Sequence, residues 1–537
     1  MSTKFPEHGA AWDEIEARMR AMAEGDVKWR DGRTGLYIFN AGPEVERVQK
    51  AAYSMFSAEN GLGPAAFPSL AQMEREVVGF GLALLNAPPG AAGAMTSGGT
   101  DSIVMAVKAA RDFARAKRGL KGPANIVVPS SAHPAFDKAG MMMDIEVRRI
   151  PVKDYLADVA AMEAAMDDAT ILFVGSAPCF PFGLIDPIAQ LGQVAEKRGA
   201  WLHVDACVGG YLAPFVRMNG ADLPAFDFSV PGVSSISGDL HKYGYASKGA
   251  STVFFRSEAL KEHMPFDAGP WPLGRMITPT LAGTRPGGAI AAAWAVIHFL
   301  GVAGYRAKQK MVTQAREKIE DGVRALGFAV LGKPQLGIVS FAHEKANALT
   351  LFSKMHHRGW FTAALVDPMA LHLMLSPKHL EVADQYLADL AASLADDGAA
   401  VKPAASYASR HARSVRAHRR AVRAGRLHDG GARFLPRLCR GARRRARRLR
   451  RRATDASATR RTGVHVRRFR RAEHRYNGDT RGAVAARGSG VGAARRRCAR
   501  RRAQCRAHCA DHDALRLSLP RALWQLACRH RSAATHA

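Results

Sequence analysis

Short apolar runs alternate with amphipathic stretches along the first 400 residues. The runs at 125–129, 170–175 and 201–205 have the length and apolar density of buried strands. Between them, residues 101–117 and 159–166 repeat apolar side chains at helical intervals. Strands that alternate with helices of about ten to fifteen residues are typical of βαβ units, so the pattern predicts an α/β fold with a mainly parallel sheet.

The two ends of this region carry patterns of their own. Residues 11–25 place apolar side chains every three or four positions, which predicts an amphipathic packing helix. Residues 290–330 predict a long connecting helix followed by a shorter one, and 337–396 again alternate strand and helix. We therefore expect a large α/β domain followed by a small C-terminal α/β domain.

The charge of the chain is concentrated in its last quarter. The formal net charge is +31, but residues 401–537 hold 39 of the 78 Lys and Arg residues and 6 of the 47 Asp and Glu residues. The first 400 residues are therefore close to neutral, and the net charge describes the tail.

Two hypotheses account for this tail. A disordered basic arm would bind nucleic acid or anionic surfaces through phosphate contacts and counterion release. Basic arms usually mix Lys with Arg, however, whereas this tail has a single lysine and scatters Cys, His and Trp among its arginines. That composition is typical of a GC-rich gene translated out of frame, so we favour an out-of-frame or disordered segment without function.

Cysteine usage favours a reducing compartment. Only Cys179 and Cys207 precede the tail, and no framework of paired spacings is present. The N-terminus lacks the apolar core of a signal peptide, and we expect no uncharged apolar run of about 18 residues anywhere in the chain. The sequence therefore predicts a soluble, cytoplasmic protein without a transmembrane segment.

A lysine and a carboxylate follow two neighbouring predicted strands. Strand 234–238 leads into a loop that carries the adjacent pair His241 and Lys242, and strand 201–205 ends in Asp205. The C-terminal ends of parallel strands form the ligand crevice of such a sheet, so we expect these side chains to converge. Pyridoxal phosphate needs a lysine to hold its aldehyde as a Schiff base and a carboxylate to keep its ring nitrogen protonated.

A glycine pair opens the helix predicted at 101–117. Small residues such as Gly98 and Gly99 let backbone N–H groups approach an anion, and the helix dipole adds to the attraction. A glycine pair alone is more often a turn. Beside a cofactor lysine, phosphate binding becomes the better hypothesis.

Residues 30–396 resemble the sphingosine-1-phosphate lyase branch of the pyridoxal-phosphate-dependent group II decarboxylase family. Five separate blocks carry the resemblance in the expected order: TSGGTDSI at 96–103, HPAFDKA at 133–139, HVDAC at 203–207, DLHKYGYASKG at 239–249 and AGTRPGG at 282–288. Five ordered blocks make a more specific signal than any one motif. The resemblance implies a fold-type I enzyme and a homodimer with shared active sites.

The resemblance also implies a role for individual residues. Lys242 would carry the cofactor, Asp205 would hold its ring nitrogen, and His133 would stack on its ring. The other cofactor-binding residues that it implies are Gly98, Gly99, Thr100, Ser237, His241, Gly283 and Thr284, with the last two on a loop that closes over the neighbour's cofactor phosphate. Tyr37 resembles a catalytic and substrate-binding tyrosine that reaches the neighbouring active site, and Lys248 and Tyr245 are the remaining substrate-binding candidates. No metal site is expected.

The same resemblance divides the chain into four segments. They are an N-terminal arm and dimer-contact segment at 1–60, a large pyridoxal phosphate-binding domain at 61–300, a small C-terminal domain at 301–396 and the arginine-rich tail at 397–537. Two positions depart from the family pattern. Gly63 stands where relatives carry a histidine that contacts the substrate phosphate, and Met276 stands where they often carry tyrosine.

These features imply a lyase that cleaves a phosphorylated long-chain base to a long-chain aldehyde and phosphoethanolamine. Gly63 and Met276 keep an amino-acid decarboxylase on the same scaffold as an alternative. A third hypothesis, a nucleic-acid-binding protein that uses the basic tail, would leave the first 400 residues without catalytic function.

Overall fold

The computed structural model describes residues 5–396 of the 537. Its centre is a seven-stranded sheet in the order β1-β7-β6-β5-β4-β2-β3. The strands are β1 (Ala92–Thr96), β2 (Ala124–Pro129), β3 (Ile145–Ile150), β4 (Thr170–Ser176), β5 (Leu202–Asp205), β6 (Val233–Gly238) and β7 (Ser251–Phe255). Pairing is parallel from β3 through β6, and only β7 runs antiparallel to its neighbours. The predicted mainly parallel sheet and α/β class are confirmed.

Helices cover this sheet on both faces, so its central strands are largely buried. Every residue of β2 and β4 is buried, as expected of parallel strands between two helical layers. The helices that precede or follow the strands in sequence are α3 (Pro68–Leu84), α4 (Gly99–Lys117), α5 (Ala135–Met143), α6 (Val159–Ala164), α7 (Ile188–Arg198), α8 (Ala213–Met218) and α9 (Glu258–Lys261). Because the crossovers place every helix outside the sheet, the C-terminal strand ends remain open to form a crevice.

A second, antiparallel sheet lies nearer the C-terminus of the described region. Its four strands run in the order β10-β11-β13-β12. They are β10 (Phe328–Val330), β11 (Ile338–His343), β12 (Ala363–Val366) and β13 (Met369–Met374), accompanied by α11 (Ala348–His357) and α12 (His379–Ala395). A hairpin of β8 (Phe266–Asp267) and β9 (Ile277–Thr278) precedes them. The predicted residue boundaries between the domains stay predictions.

The remaining helices are α1 (Trp12–Ala23), a short 3-10 helix (Trp29–Asp31), α2 (Pro43–Met55) and α10 (Gly287–Ala325). Sequence analysis predicted a long helix and then a shorter one across 290–330. The structure instead has one helical stretch interrupted at Gly301, whose φ of 54° and ψ of −176° leave the helical region, so its shorter part comes first. Glycine alone adopts such a backbone without steric cost.

Helix α10 also corrects the expectation that no long apolar run exists. It is the single helix within residues 5–396 that is long and apolar enough to cross a membrane. Residues such as Ile290, Ala293 and Val296 are buried in the core, as in the central helix of many folded domains. The expectations for residues 397–537 lie outside the described part of the chain.

The two sheets meet at the loop that follows β4. His372 on β13 and Ser340 on β11 are register partners. The His372 Nε2 group donates to the Phe180 carbonyl at 2.9 Å, and the Ser340 hydroxyl donates to the Pro181 carbonyl at 2.7 Å. Since Phe180 lines the crevice at the strand ends, the small sheet fixes one wall of that crevice.

Candidate active site

A cavity of about 390 Å³ opens at the C-terminal ends of β4, β5 and β6. Predicted site residues that line it are Tyr37, Gly99, Thr100, His133, Asp205, His241, Lys242 and Lys248. A larger cavity of about 650 Å³ lies elsewhere, between α3, α8 and α10, and contains none of them. The structure therefore assembles most of the sequence-predicted residues in one place.

Lys242 lies in the turn that follows β6. Its Nζ is 2.9 Å from Asp239 Oδ2. Burial opposes the charged form of this amine, but the carboxylates of Asp239 and Asp205 more than offset that effect and raise the pKa of Lys242 above its ordinary value. The lysine is therefore a cation at neutral pH, directed into a cavity that contains carboxylates.

Asp205 ends β5 and keeps one oxygen free for a ligand. Its Oδ1 accepts the Cys207 backbone N–H at 3.1 Å and the Ser237 hydroxyl at 3.3 Å. Within the described residues Oδ2 has no hydrogen-bond partner. A protonated ring nitrogen is the donor that this oxygen could accept, so the arrangement fits pyridoxal phosphate.

The turn before α4 fits a phosphate group. A side chain at position 99 would place its Cβ 2.8 Å from both Asp239 Oδ2 and Cys207 Sγ, so only glycine fits between the turn and the cavity floor. The first N–H groups of a helix have no partner within the helix, and α4 begins at Gly99. His241 adds a buried Nδ1 without a partner among residues 5–396, a donor or acceptor available to a ligand.

His133 stands at the mouth of the cavity. Its Nδ1 accepts the Ala135 N–H at 3.2 Å, which fixes the ring orientation. The Phe180 ring meets it edge-on at 6.5 Å between centroids. Although His133 is solvent-exposed, desolvation by the surrounding protein lowers the pKa of its imidazole, and the nearby Asp205 only partly opposes this. A neutral ring at the mouth could stack on an aromatic ligand.

Lys248 and Tyr37 form the opposite side of the mouth. The Lys248 ammonium donates to the Tyr37 carbonyl at 2.6 Å and to the His241 carbonyl at 3.2 Å, and it lies 5.3 Å from the centroid of the Phe39 ring. Although Lys248 is solvent-exposed, desolvation by the surrounding protein, together with the charge of Lys242, lowers the pKa of its ammonium to about 8. Tyr37 thus lines the cavity of its own chain, and the expectation that it serves the neighbouring one stays a prediction.

Five predicted residues do not line this cavity, namely Gly98, Ser237, Tyr245, Gly283 and Thr284. Tyr245 is 2% exposed, and its hydroxyl donates to Gln309 Oε1 at 3.1 Å, so it is a core residue and the substrate-binding prediction for it was wrong. Gly283 and Thr284 do not line the cavity of their own chain. Thr284 belongs to a small separate cleft that includes Ser97 and Asp101.

The two positions that depart from the family pattern are also outside the cavity. A Cβ at Gly63 would meet only Ala66, at 3.7 Å, and Met276 is partly exposed beside β9. Among residues 5–396, no group of three or more His, Cys, Asp or Glu side chains could hold a metal ion. The lysine, the free aspartate oxygen and the turn before α4 fit an organic ligand that carries a phosphate.

Among the lining residues that sequence reasoning missed are Asp239 and Phe180. Asp239 carried a signal, because an acid three residues before a lysine in a turn can pair with it. Phe180 carried no such signal in the sequence, because its position depends on the hydrogen bond that its carbonyl accepts from His372 on the distant strand β13.

Comparisons with known proteins agree with this geometry. Residues 2–344 match the pyridoxal-dependent decarboxylase conserved domain. The chain is 39% identical over 400 residues to the sphingosine-1-phosphate lyase of rice, covering 73% of this chain and 74% of that protein. It is 34% identical over 388 residues to a probable L-tyrosine/L-aspartate decarboxylase of the archaeon Methanocella arvoryzae, covering 72% of this chain and 98% of that protein.

A solved structure resembles the whole described region. The sphingosine-1-phosphate lyase of Burkholderia pseudomallei superposes with a TM-score of 0.71 at 34% identity, covering 80% of this chain and 98% of that one. Fold, cavity chemistry and sequence similarity agree. The chain belongs to the pyridoxal-dependent decarboxylase family, in its sphingosine-1-phosphate lyase branch.

Proposed function

We propose that this protein is a pyridoxal-phosphate-dependent lyase that cleaves a phosphorylated long-chain base, such as sphingosine 1-phosphate, to a long-chain aldehyde and phosphoethanolamine. The observation that carries the proposal is the cavity in which Lys242 and the free oxygen of Asp205 lie together. The similarity to lyases over most of the described chain supports the choice of substrate class.

Each side chain has a distinct task in this reaction. Bound pyridoxal phosphate supplies an aldehyde for the substrate amine and a ring that accepts the electron pair of the breaking carbon–carbon bond. Lys242 would hold the cofactor, and Asp205 Oδ2 would keep the proton on the ring nitrogen. The N–H groups at the start of α4 would bind the cofactor phosphate, and His133 would cover the ring.

Lys248 is the candidate for the substrate phosphate. Its ammonium lies at the cavity mouth and is held there by two backbone carbonyls. A cation fixed in this way can add a phosphate oxygen as a further partner without reordering its long side chain, which lowers the entropic cost of binding. Gly63 contributes no side chain, so Lys248 carries more of the phosphate recognition here than in relatives with a histidine at that position.

An amino-acid decarboxylase is the second candidate. The similarity to the archaeal decarboxylase, which the chain covers almost completely, favours it, as does the missing histidine at Gly63. The lysine and the free aspartate oxygen would serve either reaction, because both leave an electron pair on the substrate carbon.

A product assay separates the two candidates. We expect the protein loaded with pyridoxal phosphate to release fatty aldehyde and phosphoethanolamine from sphingosine 1-phosphate, and no CO₂ from tyrosine or aspartate. The Lys242→Ala variant serves as the control for reaction in solution. Release of CO₂ without aldehyde would replace the lyase proposal by the decarboxylase.

We also propose a cytoplasmic homodimer with shared sites. Helix α1 buries no residue within its own chain, yet it presents a stripe of Trp12, Ile15, Met19 and Met22 with exposures of 63%, 37%, 57% and 73%. An apolar stripe of this kind favours contact with a second chain. Gly283 and Thr284, which miss their own cavity, would then complete the cavity of the neighbour.

A further inference from the structure

Asp239 is a second buried carboxylate in the cavity, in addition to Asp205. Its side chain is 2% exposed, and it lies three residues before Lys242. Its Oδ2 is 2.9 Å from Lys242 Nζ and 3.7 Å from His241 Nε2. A buried carboxylate is retained only when charges or hydrogen bonds offset its desolvation, so the groups around it need to be accounted for.

A chain of buried hydroxyl groups ends on the other oxygen of this carboxylate. The Ser251 hydroxyl is 2.5 Å from Asp239 Oδ1, the Ser102 hydroxyl is 2.9 Å from that of Ser251, and the Thr96 hydroxyl is 2.6 Å from that of Ser102. Ser102 and Ser251 are fully buried, and Thr96 is 3% exposed. Four buried polar groups therefore follow one another at hydrogen-bond distances.

The chemistry of these groups fixes the direction of the last hydrogen bond in the chain. An ionised carboxylate only accepts hydrogen bonds, so Ser251 donates to Asp239 and its own oxygen is left to accept. The Ser102 hydroxyl, which also lies 3.1 Å from the Thr252 carbonyl, can donate either to that carbonyl or to Ser251. The hydrogen bond from Ser251 favours the charged form of Asp239.

The chain also links two parts of the site. Thr96 ends β1, Ser102 lies in the first turn of α4, and Ser251 begins β7. The turn that fits a phosphate is thus connected to the loop that carries Lys242 by side chains within one buried network. We propose that Asp239 is the positioning residue that holds the Lys242 amine protonated and directed into the cavity, and that the hydroxyl chain keeps this carboxylate ionised.

This role rests on the proposed function of Lys242 as the cofactor lysine. The Asp239–Lys242 pair keeps a proton at Lys242 Nζ inside the cavity. The Lys242 amine must give up and recover this proton each time the substrate displaces the lysine. Asp205 takes no part in this pair, because its two hydrogen bonds come from Cys207 and Ser237.

Several other titratable groups face the pair. They are Asp205, Cys207, His133, His241, Lys248 and Tyr211. Burial lowers the pKa of His133 and His241 and raises the pKa of Cys207 and Tyr211, so these four are neutral at neutral pH. Although burial alone would raise the pKa of Asp239, the charge of Lys242 and the Ser251 hydrogen bond lower it below its ordinary value.

The test is the pH titration of the visible absorbance band of the bound cofactor in the holoenzyme. Asp239→Asn removes a negative charge beside the lysine nitrogen, so the pH midpoint of this titration should fall by about one to three units, the range expected for an opposite charge in contact. Asp239→Glu keeps the charge, so its midpoint should lie close to the wild-type value. Asp227→Asn is the matched control, because Asp227 is also fully buried and paired with a basic side chain, Arg217, at 3.1 Å.

The outcomes separate this inference from the proposed function. An unchanged midpoint in Asp239→Asn, or a shift equally large in Asp227→Asn, would overturn the role of Asp239. A visible band that persists in Lys242→Ala would instead show that another lysine carries the cofactor, and the proposed site itself would fail.

Discussion

The cavity gives its two lysines opposite electrostatic environments. Lys242 is paired with a buried carboxylate, which raises its pKa, whereas Lys248 has only carbonyl partners, and desolvation lowers its pKa to about 8. Lys242 therefore stays protonated through the neutral range, and Lys248 titrates just above it. Such a difference between neighbouring groups of the same type is typical of functional sites.

Lys248 leads to a prediction about pH. Below pH 8 its ammonium can bind the substrate phosphate, and above pH 8 the neutral amine cannot, so kcat/KM for a phosphorylated substrate should fall by up to about tenfold per pH unit above that value. Lys248→Arg should keep its charge and abolish this decline, while Lys248→Met should have a low kcat/KM at every pH. A wild-type profile retained in Lys248→Met would exclude Lys248 from phosphate binding.

Tyr245 leads to a prediction about stability, not about substrate binding. Tyr245→Phe loses only the hydrogen bond to Gln309, so the free energy of unfolding should fall by about 1 kcal/mol with KM unchanged. Tyr37→Phe, at the cavity mouth, should change the kinetics without loss of stability. Chemical denaturation and steady-state kinetics of both variants check this contrast. A raised KM in Tyr245→Phe would restore the role that the motif suggested.

At the level of elements, the structure follows the sequence wherever periodicity decides the outcome. Apolar runs became buried strands, and the lysine and the aspartate arrived at neighbouring strand ends because βαβ connectivity brings such ends together. Periodicity could not locate the break at Gly301, since a single glycine leaves the apolar pattern intact. Nor could it place Tyr245, whose positive φ of 54° directs the backbone of the glycine-rich loop inward.

The loop after β4 could not be predicted, because its shape depends on a distant sheet. Ser340→Ala should release the Pro181 carbonyl and loosen Phe180, lowering kcat/KM by about fivefold, as expected for the loss of one hydrogen bond worth about 1 kcal/mol. The control is Ser393→Ala, since Ser393 is a buried serine in α12 that donates to the Asp389 carbonyl at 2.7 Å. Equal kinetic losses in both variants, at matched melting temperatures, would mean that the small sheet does not position the wall.

At the level of the whole molecule, the proposed dimer assigns each residue to one of two cavities. Tyr37 lies in the cavity of its own chain, whereas Thr284 does not. Mixed dimers can therefore distinguish them. In a mixture of two inactive variants, about half the dimers are mixed, and one site in each is intact only if both lesions fall in the other site, which requires that the two residues of a site come from different chains.

We expect Lys242→Ala mixed with Thr284→Glu to recover roughly a quarter of wild-type activity, because Thr284 would serve the neighbouring cavity. Lys242→Ala mixed with Tyr37→Phe should recover no more than the mean of the two variants alone. Subunit exchange is monitored by differently tagged chains. Recovery in the Tyr37 mixture would return that residue to the neighbour's site, and no recovery in either mixture would contradict shared sites.

The central claim is that Lys242 carries the cofactor. Borohydride reduction of the holoenzyme, followed by peptide mass spectrometry, should place the pyridoxyl group on Lys242 alone. Lys248 is the competing amine, because it lies in the same cavity and its lowered pKa makes it the more readily deprotonated of the two. A pyridoxyl group on Lys248, or on any lysine other than Lys242, would contradict the account.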